Sequence, residues 1–400
     1  MENNVLLHTK FSTRRIAGFS LIETLVALTI GMLGAIIMLQ VYSLSEERQR
    51  VATYGGDAQS NGIQVFYQLQ SDINKSGYGF NSYTLFGCGA VWKTSSGAVL
   101  TNPVPIAPVT INPVSSTGGQ LITGNDPNTD TLLIMYGNGS NEPEGNAISN
   151  VAGTVYSVQM ASAFAAGDYV LAASMGSSAC PSGSLTFDQI TAAPTATTVT
   201  VATGAAGSSV LFNLGPGTVG APSSTHPNGP TVLAYAIRNG NLTVCDYMVN
   251  DCSNTAFNTS AAIWEPIGSN IVSLRAVYLQ DTSAIHFMDG IPDANGTNQT
   301  TPTTACGWLR VSAVNLALVS RSQQFNKTVV TNTAANAPSP VNAPAWAGDA
   351  VAPLIGPTTA TLGLGPDSAA DEPWKHYRYV VFQSVMPIRN VVWMGTKSEC

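Results

Sequence analysis

One carboxylate stands where carboxylates are costly. From Phe19 to Tyr42 the chain is apolar, and apart from the Tyr42 phenol its only ionisable side chain is Glu23. An acid in such a setting marks function and needs a partner of opposite charge. A second feature is the Gly18–Phe19 junction, which follows Lys10, Arg14 and Arg15 and opens the apolar run. In a secretory signal peptide the small residue of the cut site follows the apolar region. Here it comes first, which argues against that class. Six cysteines form a third group: Cys88, Cys180, Cys245, Cys252, Cys306 and Cys400. All lie beyond the apolar run, and an even count on an exported side points to disulfides. Six cysteines leave fifteen pairings open, with Cys245 and Cys252 the favoured local pair.

Other chemistries find little footing. The histidines His8, His226, His286 and His376 are scattered, and no HExxH, GxSxG, Walker loop or dinucleotide fingerprint occurs. The cysteines follow no zinc spacing. No active-site constellation assembles, so the chain is expected not to be an enzyme and to need no cofactor. Asp289, Asp293 and Asn295, with Gly290 and Gly296, could offer oxygens to Ca²⁺. They lack the Glu spacing of an EF-hand, and an Asx/Gly turn between strands is the simpler reading. The segment 125–130 is a weaker case of the same kind.

These residues require a long helix to carry them. The span from Phe19 to Tyr42 would reach about 36 Å as a helix, enough for a bilayer core of about 30 Å. The cationic leader should stay in the cytoplasm. Past Tyr42 the pattern turns amphipathic, with Leu44, Val51, Ile63, Phe66, Tyr67, Leu69 and Ile73 on or near one face. Residues 19–75 therefore read as one helix, weakened near Gly55-Gly56 and closed by Gly77. Gly31 and Gly34 offer close packing faces in its apolar part.

The order basic leader, Gly18, Phe19, Glu23, long apolar helix resembles the class III signal of type IV prepilins. The resemblance implies cleavage between Gly18 and Phe19 by a prepilin peptidase, followed by N-methylation of the Phe19 amine. It also gives Glu23 a partner, the Phe19 amine of a neighbouring subunit. Low dielectric inside a helical bundle strengthens such a pair and penalises a lone Glu.

Beyond the helix the chain is β-rich. Short strands are expected at 131–136, 155–160, 168–173, 197–202 and 210–214, between Gly, Pro and Asn clusters. Segments 232–238 and 241–248 flank Asn239-Gly240, a strong hairpin signal. Longer strands are expected at 271–279 and 308–319, and strand character returns from Trp374 to Trp393. Residues 328–371, rich in Pro, Ala and Thr, read as a surface loop. The sequence thus divides into a leader (1–18), a membrane half-helix (19–42), an amphipathic half-helix (43–76) and a head (77–400). The fold class is α+β: a long N-terminal helix packed against a large antiparallel, disulfide-containing β domain. The formal net charge is −7, only 10% of residues are charged, and no basic patch lies beyond the leader. Direct nucleic-acid binding is therefore not expected.

Three further segments resemble PilW-type minor pilins. Leu69 to Gly79, with Asp72-Ile73 and Gly77-Tyr78, is similar to that group's L..DIR.AGY signature, and Phe86-Gly87-Cys88 to the GC that follows it. Leu316 to Ser322 is close to its LLVRS strand, and Tyr377-Arg378 with Ile388-Arg389-Asn390 to its closing YRR…LRN strand. On their own terms, Arg321, Arg378 and Arg389-Asn390 are expected to cap backbone groups or face solvent. The resemblance implies a single-pass inner-membrane protein with a periplasmic head, which later enters a pilus at its initiating tip. Partners so implied are the prepilin peptidase, the assembly platform, other minor pilins, the major pilin, a PilY-type tip adhesin and the lipid bilayer. Other readings are a GspJ-like type II secretion pseudopilin, a major pilin, or a membrane-anchored periplasmic enzyme or binding protein.

Overall fold

The computed structural model describes residues 20–79, 82–94, 99–127, 129–139, 144–174, 185–216, 229–280, 301–326, 329–331 and 373–394. Helix α1 runs Leu21–Lys75. The chain divides into two compact units, 1–54 and 55–400. In the first, Leu21–Glu46 is long and apolar enough to cross a membrane, at about 39 Å of helix, and none of its most apolar stretch is buried within the chain. The helix continues through Gly55-Gly56 without a break.

The second unit contains the rest of α1 and an antiparallel β-rich head, so the chain is α+β. Eight strands form one sheet in the order Val104–Pro105, Gly89–Val91, Leu185–Gln189, Tyr169–Ala173, Val210–Gly215, Asn146–Ala152, Val155–Val158 and Thr198–Thr200. Among the described pairings, only Gly89–Val91 with Leu185–Gln189 is parallel. A five-stranded sheet runs Glu265–Ser269, Asn241–Asp246, Thr231–Arg238, Leu132–Tyr136, Val109–Ile111. A three-stranded sheet runs Ile271–Gln280, Val311–Arg321, Tyr379–Pro387.

The main core joins Val65, Phe66, Leu69 and Ile73 of α1 to the five- and three-stranded sheets. The eight-stranded sheet adds a separate small core around Tyr156, Val170, Val199 and Leu211. Within the main core, Trp92 joins the eight-stranded sheet to the end of the Asn241–Asp246 strand: it stacks on Phe187 at 4.7 Å and donates to the Tyr247 carbonyl at 3.0 Å.

The buried face of α1 differs from the hydropathic expectation. Ala58, Val65, Phe66, Leu69, Asp72 and Ile73 are buried, whereas Leu44, Ile63 and Tyr67 are exposed. The reason is close approach. A Cβ on Gly62 would lie 2.1 Å from the Phe382 ring, and one on Gly268 2.5 Å from Val65. Helix and sheets meet along small residues, and Ile63 and Tyr67 sit about 100° around the helix from that line.

Two other expectations are corrected. Trp308 belongs not to a strand but to the short helix α2, Ala305–Leu309, which Thr304 caps by accepting from the Gly307 N–H at 3.0 Å. The segment after Pro387 turns into α3, Arg389–Val392, so Arg389-Asn390 is not a strand end. Asn239 and Gly240 both have positive φ, 50° and 68°, as a two-residue primed hairpin turn requires.

Candidate functional site: the helix start and the helix–head lock

At its start, α1 is held by the Ser20 carbonyl, which accepts from the Glu23 and Thr24 N–H groups at 3.0 and 3.1 Å. Glu23 occupies the first turn, where a negative charge complements the helix dipole. Its side chain is exposed, as are those of Leu21, Ile22, Leu25 and Val26 around it. Gly18 and Phe19 lie outside the described residues.

At its other end, α1 is locked into the head by polar groups. Asp72 is buried, and its carboxylate accepts from Tyr235 Oη at 2.6 Å and Tyr136 Oη at 3.1 Å. Burial, reinforced by the Asp72 charge, raises both phenols, Tyr136 to about 12 and Tyr235 well above its ordinary value. They stay protonated and serve as donors. Lys75 Nζ stands 3.8 Å from Asp72 and lies over the Tyr136 ring.

Gly77, at φ 79°, supplies the left-handed residue that ends the helix, and its N–H reaches the Met135 carbonyl at 2.9 Å. The last carbonyls are then capped from far along the chain. Asn390 Nδ2 donates to the Lys75 carbonyl at 3.0 Å and the Ser76 carbonyl at 2.9 Å. Midway, Ser320 Oγ donates to the Ala58 carbonyl at 2.8 Å.

The segments that resembled one another's family signature therefore meet in space. Asp72 and Gly77 join Asn390 at the helix end. Ser322 and Arg378 exchange backbone contacts, with the Ser322 N–H on the Arg378 carbonyl at 2.8 Å and the Arg378 N–H on Ser322 Oγ at 3.1 Å. The Arg321 guanidinium lies 4.6 Å from the Tyr377 ring centre. Asn390 caps backbone groups, as its residue type suggested. The structural role of Asp72 was not foreseen; the sequence signals were its place in the L..DIR.AGY-like segment and an acid between Leu69 and Ile73 on an apolar face.

Replacing Asn390 with Ala strips two helix-end carbonyls of their donor. The expected loss is about 1–2 kcal/mol, read as a lower denaturant midpoint with unchanged slope.

Among the cysteines, Cys245 and Cys252 form a disulfide with Cα atoms 6.1 Å apart. Cys88 and Cys306 are also disulfide-bonded. Cys180 and Cys400 lie outside the described residues, as do Asp289, Asp293, Asn295 and most of the 328–371 segment. In segment 125–130 the acids serve the protein itself. Asp126 accepts from the Asn239 and Gly240 N–H groups, and Asp130 from Asn112 and the Ala276 N–H.

Inside the Cys245–Cys252 loop, Asp246 accepts from the Met248 N–H at 2.8 Å, but burial pushes its carboxyl up to about 6. The folded protein thus holds this proton more tightly than the unfolded chain. Stability from this group is fully present below about pH 4 and is lost as pH rises through 6, by about 2–3 kcal/mol. Asp246→Asn should recover that amount at pH 7.5 and nothing at pH 4, measured by urea unfolding at the two pH values.

Residues 13–39 match the model of the prokaryotic N-terminal methylation motif. No curated protein and no solved structure matches the chain. The motif implies processing by a prepilin peptidase and assembly with other pilins, and with the apolar helix behind it fits anchoring in a membrane. An exposed Glu23 on the apolar start of α1, within a motif at residues 13–39, gives the chain an N-terminus of the type IV pilin and pseudopilin class.

Proposed function

We propose that this chain is a PilW-like minor pilin that helps to start a type IV pilus and sits at or near the filament tip, in support of adhesion, motility or DNA uptake. The observation that carries the reading is the methylation motif joined to an apolar run, Phe19 to Tyr42, whose only acid is Glu23. The three signature segments support the narrower placement: Asn390 meets the end of α1, Ser320 meets it midway at Ala58, and Ser322 meets Arg378. So does the size of the head: a bulky domain is easier to place at a filament end than in every helical repeat. The role is assembly rather than catalysis. Before assembly, α1 holds the subunit in the inner membrane with the head in the periplasm. After cleavage, the apolar half exchanges lipid for like helices, and Glu23 pairs with the Phe19 amine of a neighbour.

Mass spectrometry of the chain recovered from sheared filaments tests this directly. The expected result is a methylated N-terminal Phe19 at low stoichiometry relative to a smaller major pilin. A mature chain beginning at any other residue, or one absent from filaments, overturns the reading. A requirement for secretion without any role in piliation would assign it instead to the pseudopilins.

A further inference from the structure

A cavity of about 480 Å³ opens on the head between the eight-stranded sheet and the segment that follows Tyr136, lined among others by Asn138, Gly139, Ser162, Phe164, Asp168 and Asn213. Its volume lies within the range of small-molecule sites. Asp168 is only 7% exposed. One carboxylate oxygen, Oδ2, accepts from the Ala165 N–H and from Asn213 Nδ2, both at 2.8 Å. The other, Oδ1, makes no hydrogen bond among the described residues, and it is not sealed from solvent. A buried carboxylate with an open oxygen is an acceptor waiting for a donor.

The surroundings are rigid. The Asn213 amide also donates to the Ala163 carbonyl at 3.1 Å and accepts from the Gly215 N–H at 2.9 Å. Gly139 packs so closely on residue 213 that a Cβ there would come within 2.5 Å of the Asn213 carbonyl. Tyr78 Oη donates to the Gly139 carbonyl at 3.0 Å, which ties this wall to the end of α1. Among the described residues, no Lys, Arg or His lines the cavity, which gives an anion no partner there. A lone ammonium would use the carboxylate and leave the hydroxyl and apolar walls idle. A ring bearing several hydroxyls uses all three: donors for Asp168, a partner for the exposed Ser162 hydroxyl, and C–H faces for Phe164 and the alanines beside it.

We propose that this cavity binds one hexopyranose unit of a glycan, with Asp168 Oδ1 accepting from a sugar hydroxyl. The inference rests on the cavity alone and does not require the filament reading. The test is saturation-transfer-difference NMR on the full chain in detergent micelles, with a panel of methyl hexopyranosides and, separately, methylammonium. At least one hexoside should receive saturation on its ring protons. Asp168→Asn should weaken its binding about tenfold or more, the scale of one lost hydrogen bond to a charged group. Ala165→Trp, at an exposed rim position, should abolish the signal while leaving the buried carboxylate in place. No transfer to any hexoside, equal transfer in Ala165→Trp, or binding of methylammonium alone overturns the proposal.

Discussion

A Glu23→Ala chain should be cut normally and then fail to enter filaments, its recovery in sheared pili falling on the order of tenfold or more. Cleavage acts on the Gly18–Phe19 bond, and Glu23 lies beyond it. Once subunits are gathered into a helical bundle, the situation changes. On the proposed function, the carboxylate and the new amine of a neighbour would face each other in a medium that screens them poorly, so the pair would favour one axial register over all others. Without the acid that preference goes, and an unpaired amine remains among apolar side chains. Gly18→Ala, or a bulkier residue there, should act one step earlier: the precursor persists, keeps its leader and is absent from pili. Immunoblots of whole cells against sheared filaments separate the two outcomes. Normal piliation by Glu23→Ala would remove the register role.

The largest effect within the head is expected at Asp72. In Asp72→Ala the buried hydroxyl of Tyr235 and the half-buried hydroxyl of Tyr136 lose their acceptor. An unsatisfied buried donor costs about 1–3 kcal/mol, and the half-buried Tyr136, which water can reach, adds less, giving about 2–4 kcal/mol for the two. Asp72→Asn should cost less, since an amide still offers one acceptor oxygen and a donor that a phenol oxygen can take. The loss should be local at first, because the helix end is also held by Gly77 and Asn390. Hydrogen exchange would therefore show the amides of residues 65–77 opening in Asp72→Ala well before those of the strand Val311–Arg321. Uniform loss of protection across both regions would mean that Asp72 supports the whole fold rather than the lock.

Much of the architecture was legible because local signals agreed. The apolar run and Gly77 bounded α1 to within two residues at its start and at its observed end. Asn239-Gly240 placed its hairpin, and the proximity of Cys245 to Cys252 identified the local disulfide. What escaped was non-local. The partners of Asp72 lie 64 and 163 residues away, so its signature position gave no hint of which groups it would bind. The buried face was misjudged because small residues, Ala58 and Gly62, carry little hydropathic signal where backbones come close. Strands such as Gly89–Val91 and Val104–Pro105 are too short to show alternation. The cavity at Asp168 has no linear motif, since strands and turns distant in sequence build it.

The cap that Asn390 places on α1 spans 315 residues of sequence. During synthesis, therefore, the helix terminus emerges hundreds of residues before its closing partner. Phe382, which packs against Phe66 and over Gly62, arrives equally late. A translation product that stops before residue 382 would keep its apolar helix yet lack both of these contacts. Seating of the helix end therefore requires that synthesis has already run past residue 390.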